Sequence, residues 1–255
     1  MFKHVSSLLP PSSRSSLSSF IFRKSLSTSS AASPSIPLIY STPALHLYSL
    51  PVTPLQMNQY LLCCLSTSSS ALIDCGDPSP SRWVETAKNG NFNITKILQT
   101  HGHVDHVSGL KETASLLSVP VHAHSDDWLI FKSAPAQGML FGLDCPTPPK
   151  IDVHLEDGEV FYVGELKVKA LLTPGHSPGH LCFHLEDENV LISGDLVFKG
   201  SIGRTDFPVG CSQDDMRESL KRFCALPDET MVFPGHMGHT SVGEEKMRNP
   251  FLQGL

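Results

Sequence analysis

No aspartate or glutamate occurs in the first 73 residues of this 255-residue chain; the first acid is Asp74. That stretch holds four bases, Lys3, Arg14, Arg23 and Lys24, and 14 of its first 35 residues are serine. It also lacks the continuous apolar centre of a secretory signal, which leaves the basic, serine-rich, acid-free signature of an organellar transit peptide. Residues 1–35 are therefore read as a mitochondrial or plastid transit peptide and 36–255 as the folded body. No apolar run approaches the roughly 18 residues of a bilayer span, so no membrane partner is expected. No C-x-x-C spacing occurs among the seven cysteines, which argues against a zinc ribbon, and their odd number argues against a disulfide framework. Lys/Arg clusters are missing as well. Setting aside the four N-terminal bases takes the net charge from −6 to −10, a body unsuited to nucleic acid.

What is present is a density of metal-capable side chains. His101, His103, Asp105 and His106 fall within six residues, directly after an apolar run from Ile94 to Leu98 that reads as a buried strand. Imidazoles and a carboxylate at that density suit zinc, with iron or manganese as alternatives. Gly102 is expected to bend the backbone so that both neighbouring rings converge. The same form, apolar strand then glycine-containing bend then donor, recurs three times. Leu171 to His176 ends in Pro-Gly-His, Val190 to Asp195 ends in Gly-Asp, and Met231 to His236 ends in Pro-Gly-His again. Such strand ends gather ligands from several strands at one edge of a sheet.

Other histidines read as structural. Pro120 to Asp127 contains a second H-x-H, His122 and His124, but a strand followed by Ser125 as helix N-cap, with Asp126 and Asp127 in the first turn, accounts for it. His180, Cys182 and His184 alternate as any half-buried strand does. Asp74 closes a strand, either as a turn-former or as a partner to a ligand imidazole. Val107, Leu110, Ala114 and Leu117 predict one amphipathic helix, and Ser212 to Asp215 a capping box opening a helix on Met216, Leu220 and Phe223. Residues 134–150, with Ala-Pro, Gly-Met, Gly-Leu and Pro-Thr-Pro-Pro, predict a loop or lid.

H-x-H-x-D-H, P-G-H, G-D and P-G-H in that order resemble the metallo-β-lactamase superfamily from about Leu45 to the C-terminus. The resemblance implies an α/β fold, a four-layer αββα sandwich with the metal site at the edge between two sheets. It implies that His101, His103 and His176 hold one divalent metal, that Asp105, His106 and His236 hold another, and that Asp195 bridges them. Five neutral imidazoles and two carboxylates leave two dications net positive, so a shared water ionises near neutral pH and no protein nucleophile is required. Asp105 and Asp195 would orient that water for attack on a thioester or ester carbonyl.

Within the superfamily, the stretch from Phe198 to Pro208 and the tail from Gly243 to Phe251 are similar to hydroxyacylglutathione hydrolases (glyoxalase II), in a short form lacking the C-terminal helical domain. The implied substrate is a small-molecule thioester, an S-acylglutathione. Arg204 falls where longer relatives place a base for a glutathione carboxylate; a salt bridge to Asp206 is the other reading. Met237-Gly238-His239 replaces the aromatic residue that those relatives carry after the last ligand. Gly203 to Phe207 also resembles persulfide dioxygenases, which would place one iron on His101, His176 and Asp195. A non-catalytic relic of the fold is the remaining alternative.

Overall fold

The computed structural model describes residues 35–207 and 212–255; the remaining residues, and with them the expected transit segment, Pro208 and Cys211, lie outside the described residues. The N-terminal half builds a seven-stranded sheet in sequence order: β1 (Leu38–Ser41), β2 (Leu45–Val52), β3 (Met57–Cys64), β4 (Ser69–Ile73), β5 (Asn93–Leu98), β6 (Val121–Ala123) and β7 (Val153–His154). Pairing is antiparallel through β4 and parallel from β4 to β7. The switch follows from the connections. Short turns join the first four strands, whereas helices α1 (Ser81–Asn89), α2 (Val104–Val107), α3 (Leu110–Leu117) and α4 (Trp128–Phe141) carry the chain back between the others.

A second sheet of six strands uses β8 (Val160–Val163), β9 (Leu166–Leu172), β10 (Leu181–Leu185), β11 (Val190–Gly194), β14 (Met231–Pro234) and β15 (Thr240–Ser241). A small ribbon, β12 (Val197–Phe198) with β13 (Ser201–Ile202), follows β11. Helices α5 (Gln213–Cys224) and α6 (Val242–Arg248) complete the half, and α5 makes the crossover that lets β14 lie parallel to β11.

Period-two alternation sorts the core into three layers. On β3, Met57, Leu61 and Cys63 point to a cluster with Trp83, Val104, Leu110 and Phe131, whereas Tyr60, Leu62 and Cys64 point to one with Val168, Phe183, Ile192 and Phe233. Leu171, Leu191 and Val232 pack against Met216, Leu220 and Phe223 of α5. Helices, sheet, sheet, helices is the αββα order. The six cysteines among the described residues are free, and five are buried, as small hydrophobes should be.

Three local expectations need correction. The predicted helix after His106 is broken into α2 and α3 at Ser108 and Gly109. There Ser108 Oγ donates to Gly76 O at 2.7 Å and Gly109 N donates to Cys75 O at 2.9 Å, so the chain docks on the 75–77 loop. A Cβ on Gly109 would fall 1.8 Å from Asp77 O, which is why glycine sits at the break. Residues 134–141 are helix, not loop: α4 runs through Pro135, held by the burial of Ile130, Phe131, Ala134 and Gly138. Finally, the 3-10 turn Ser125–Asp127 is capped by His124, whose Nδ1 accepts from Asp126 N at 3.2 Å, and not by Ser125.

Candidate metal centre

The ends of β4, β5, β9, β11 and β14 meet at one edge of the two sheets, and the donors meet with them. One ligand atom each from His101, His103 and His176 lies within 4.8 Å of the others; the same holds for Asp105, His106 and His236, and for His101, His106 and Asp195. Asp195 Oδ2 sits between the first two groups, 3.4 Å from His176 Nε2 and 3.5 Å from His236 Nε2. Asp105 Oδ2 is 3.1 Å from His236 Nε2. Donors about 2.0–2.1 Å from a tetrahedral ion stand about 3.3 Å from one another, so these spacings suit ligands sharing cations.

Hydrogen bonds on the outer ring nitrogens decide what the inner ones present. Asp74, buried and in a left-handed backbone conformation, accepts Thr100 N–H at Oδ1 (2.8 Å). Its Oδ2 accepts the Thr100 hydroxyl (2.8 Å) and His106 Nδ1–H (3.0 Å). With its one hydrogen committed there, Thr100 Oγ1 accepts from His101 Nδ1, 3.0 Å away. His176 Nδ1 donates to the Arg204 carbonyl at 2.8 Å. Three rings are thereby turned so that Nε2 faces the cluster.

Two of those inner atoms, His101 Nε2 and His106 Nε2, are buried with no hydrogen bond, as is Asp195 Oδ1, which lies 3.4 Å from His106 Nε2. Buried polar atoms left in that state cost about 1–3 kcal/mol each, so their convergence fits a bound cation. Charge points the same way. Burial pulls His106 down, but Asp195, Asp74 and Asp105 outweigh it and hold the ring well above its ordinary value, a demand for positive charge at Nε2. His236 is raised against burial by Asp195 and Asp105. Asp195 is far below the usual carboxylate range, because His106 and His236 overcome its burial. His103, pushed to about 3 by burial and then by His176, is a neutral donor.

Gly102 serves by absence of bulk instead of by a bend. Its φ is not left-handed, but a Cβ there would lie 2.6 Å from Phe131 N and from the Phe131 ring. Only glycine lets the H-x-H loop rest against α4.

Two residues that sequence reasoning held as structural position the cluster. Asp127, fully buried, accepts Gly102 N–H and the Ser177 hydroxyl at Oδ2 (both 2.8 Å) and Gly179 N–H at Oδ1 (2.6 Å). It ties the loop carrying His101 and His103 to the loop carrying His176. His180 Nε2 accepts Asp195 N–H at 2.9 Å, and its Nδ1 meets Thr173 Oγ1 at 2.9 Å. A signal for His180 was present: Pro-Gly-His occurs twice in tandem, at 174–176 and 178–180. From the first sheet, Asn58 and Tyr60 brace the last ligand. Tyr60 Oη donates to Pro234 O at 2.7 Å, Asn58 Nδ2 donates to Met237 O at 2.8 Å, and Asn58 N donates to Gly235 O at 2.7 Å. His122 and His184 stand apart from the donor groups, His122 Nδ1 lying 3.2 Å from Pro120 O.

A cavity of about 320 Å³ opens over the cluster, walled by Leu55, Val104, Gln137, Phe141, Phe198, Ile202, Arg204 and Phe207. Arg204 lies on its lip and donates through Nε and Nη2 to Asp206 Oδ1 and Oδ2 at 2.6 and 2.9 Å, with its guanidinium 4.3 Å from the Phe207 ring centroid. The Phe207 ring in turn lies 4.8 Å from that of His103.

The sequence profile of the metallo-beta-lactamase superfamily matches residues 52–236. The chain is 35% identical over 209 residues to the probable metallo-hydrolase YqgX of Bacillus subtilis, covering 81% of this chain and 97% of that protein. It is 33% identical over 210 residues to the hydroxyacylglutathione hydrolase GloC of Haemophilus influenzae, covering 80% and 96%. Among solved structures, TTHA1623 in a di-iron-bound form superposes with a TM-score of 0.73 at 37% identity, covering 80% of this chain and 99% of that one. With its fold, its ordered donor loops and these relatives in agreement, the chain belongs to the metallo-beta-lactamase superfamily.

Proposed function

We propose that this metallohydrolase is dinuclear and cleaves thioesters of the S-acylglutathione type. One observation carries the reading: seven buried or half-buried donors converge in two groups, with Asp195 Oδ2 between His176 and His236. The name of the Haemophilus relative supports the substrate class. Zinc is the metal proposed, with iron or manganese as alternatives suited to the same imidazole and carboxylate set. Bound at His101, His103, His176 and at Asp105, His106, His236, two divalent cations supply Lewis acidity and lower the pKa of water towards 7.

The chain's own residues do the rest. Asp105 and Asp195, within 3.5 Å of His236 Nε2, accept the hydrogens of the attacking water and hold its oxygen towards the substrate carbonyl. His180 fixes the backbone of Asp195, and Asp74 holds His106 and, through Thr100, His101 in register. Phe207 and Phe198 shield the reacting carbonyl from bulk water. The carbon–sulfur bond breaks, a carbon–oxygen bond forms, and the water's proton leaves with the thiol.

Elemental analysis of the purified protein together with a lactoylglutathione hydrolysis assay tests this reading. Two metals per chain with thiol release are expected. One iron per chain with oxygen uptake on glutathione persulfide would transfer the assignment to a dioxygenase on His101, His176 and Asp195. Residues 1–35 are proposed as an organellar transit peptide on their composition; a fusion of those residues to a fluorescent protein that stays in the cytosol would overturn that.

A further inference from the structure

Resting on the thioester-hydrolase reading, we propose that the site selects its substrate by the acyl group, an unsubstituted apolar chain, and not by the glutathione carrier. Two observations lead there. First, six of the eight described residues that wall the cavity beyond the donors are apolar: Leu55, Val104, Phe141, Phe198, Ile202 and Phe207. Its volume of about 320 Å³ stands at the lower end of the range for small-molecule sites, about 300–1,000 Å³.

Second, the polar side chains of that wall outside the donor cluster, among the described residues, are Gln137 and Arg204, and both are engaged. Gln137 Oε1 accepts Val104 N–H at 3.1 Å, and its Nε2 donates to Ser133 Oγ at 2.8 Å, so the amide braces the first turn of α2. Arg204 spans both oxygens of Asp206 and lies over Phe207. A carrier carboxylate arriving at Arg204 would compete with a carboxylate two residues away in the chain. A 2-hydroxyl on the acyl group would be desolvated against rings and aliphatic groups, whereas each methylene gains from burial. With the reacting carbonyl at Asp105 and Asp195, the acyl tail is assigned to the apolar wall that includes Ile202, Leu55 and Phe207.

The test is a kcat/KM series on the metal-loaded protein with acetyl-, propanoyl-, butanoyl-, hexanoyl- and lactoylglutathione, and with the matching thioesters of the neutral thiol N-acetylcysteamine. The proposal expects a rise of about fourfold per methylene until the chain outgrows the cavity. Lactoylglutathione should fall about tenfold below propanoylglutathione, and a change of carrier at fixed acyl group should move kcat/KM less than fivefold. Ile202→Ala and Leu55→Ala should each lower hexanoyl turnover several-fold more than acetyl turnover. A flat or falling chain-length series, or a preference of a hundredfold for the glutathione carrier, overturns this inference while leaving the hydrolase reading intact. Failure to cleave any thioester at full metal loading overturns both.

Discussion

At the scale of single residues, orientation is set from outside the donor set. Asp74 is no ligand candidate, but its two oxygens fix Thr100 and His106, and Thr100 fixes His101. Asp74→Asn would present an amide N–H to one of those partners, and partners that orient metal ligands carry about 10- to 100-fold in affinity. A loss of that size in metal affinity, with unchanged far-ultraviolet circular dichroism, is expected from chelator competition. Asp195→Ala should go further, removing the oxygen that stands between His176 and His236, and should lower metal content to one or none per chain with activity lost. Retention of two metals and normal turnover would refute the bridging role. The donors were legible because each ends an apolar strand at a glycine, a pattern local in sequence. His180 is only half legible: the second Pro-Gly-His, at 178–180, marks it, but its partner is the backbone N–H of residue 195, a contact between distant segments that no local spacing announces.

At the scale of elements, Asp127 and α4 show how local rules were overridden. Asp127 begins α4 yet makes no side-chain cap; its oxygens go to three donors on two other loops. Asp127→Asn keeps the shape but can offer only one acceptor oxygen, so the His101–His103 and His176 loops should loosen together. On the proposed dinuclear reading, the expected result is selective weakening of the metal held by His101, His103 and His176, seen as a biphasic chelator titration. Pro135 misled the sequence reading towards a loop, since its ring removes the bond to Phe131 O. Burial of the neighbouring side chains keeps the helix. Pro135→Ala should therefore stabilise by about 1–2 kcal/mol, the helix penalty of about 3 kcal/mol being partly offset by lost rigidity of the unfolded chain. Thermal unfolding should rise by roughly 2–8 °C.

For the whole molecule, the two sheets share one functional edge. The αββα order followed from the family resemblance and the switch of direction at β4 from the helical connections after it, whereas the pairing of β11 with β14, some forty residues on, depends on contacts between distant segments that no local pattern encodes. Because donors come from both sheets, cation binding is linked to global stability. At about 100 times its dissociation constant a metal that binds only the folded state adds about 2.7 kcal/mol. Chelation should thus lower the midpoint of unfolding by roughly 5–11 °C, and restoring metal should recover it. A chelated protein that melts at the same temperature would mean the donors are held without help from the ion.

The brace that Asn58 and Tyr60 throw onto the 234–237 backbone has a consequence for synthesis. On the ribosome the first donors emerge with residue 101, and the last arrives only when residue 236 has been made and seated against a strand completed long before. Completion of the donor set is therefore a late event in this polypeptide's biogenesis: six of the seven donors precede residue 236 in the chain, and the last is seated only against a strand finished long before.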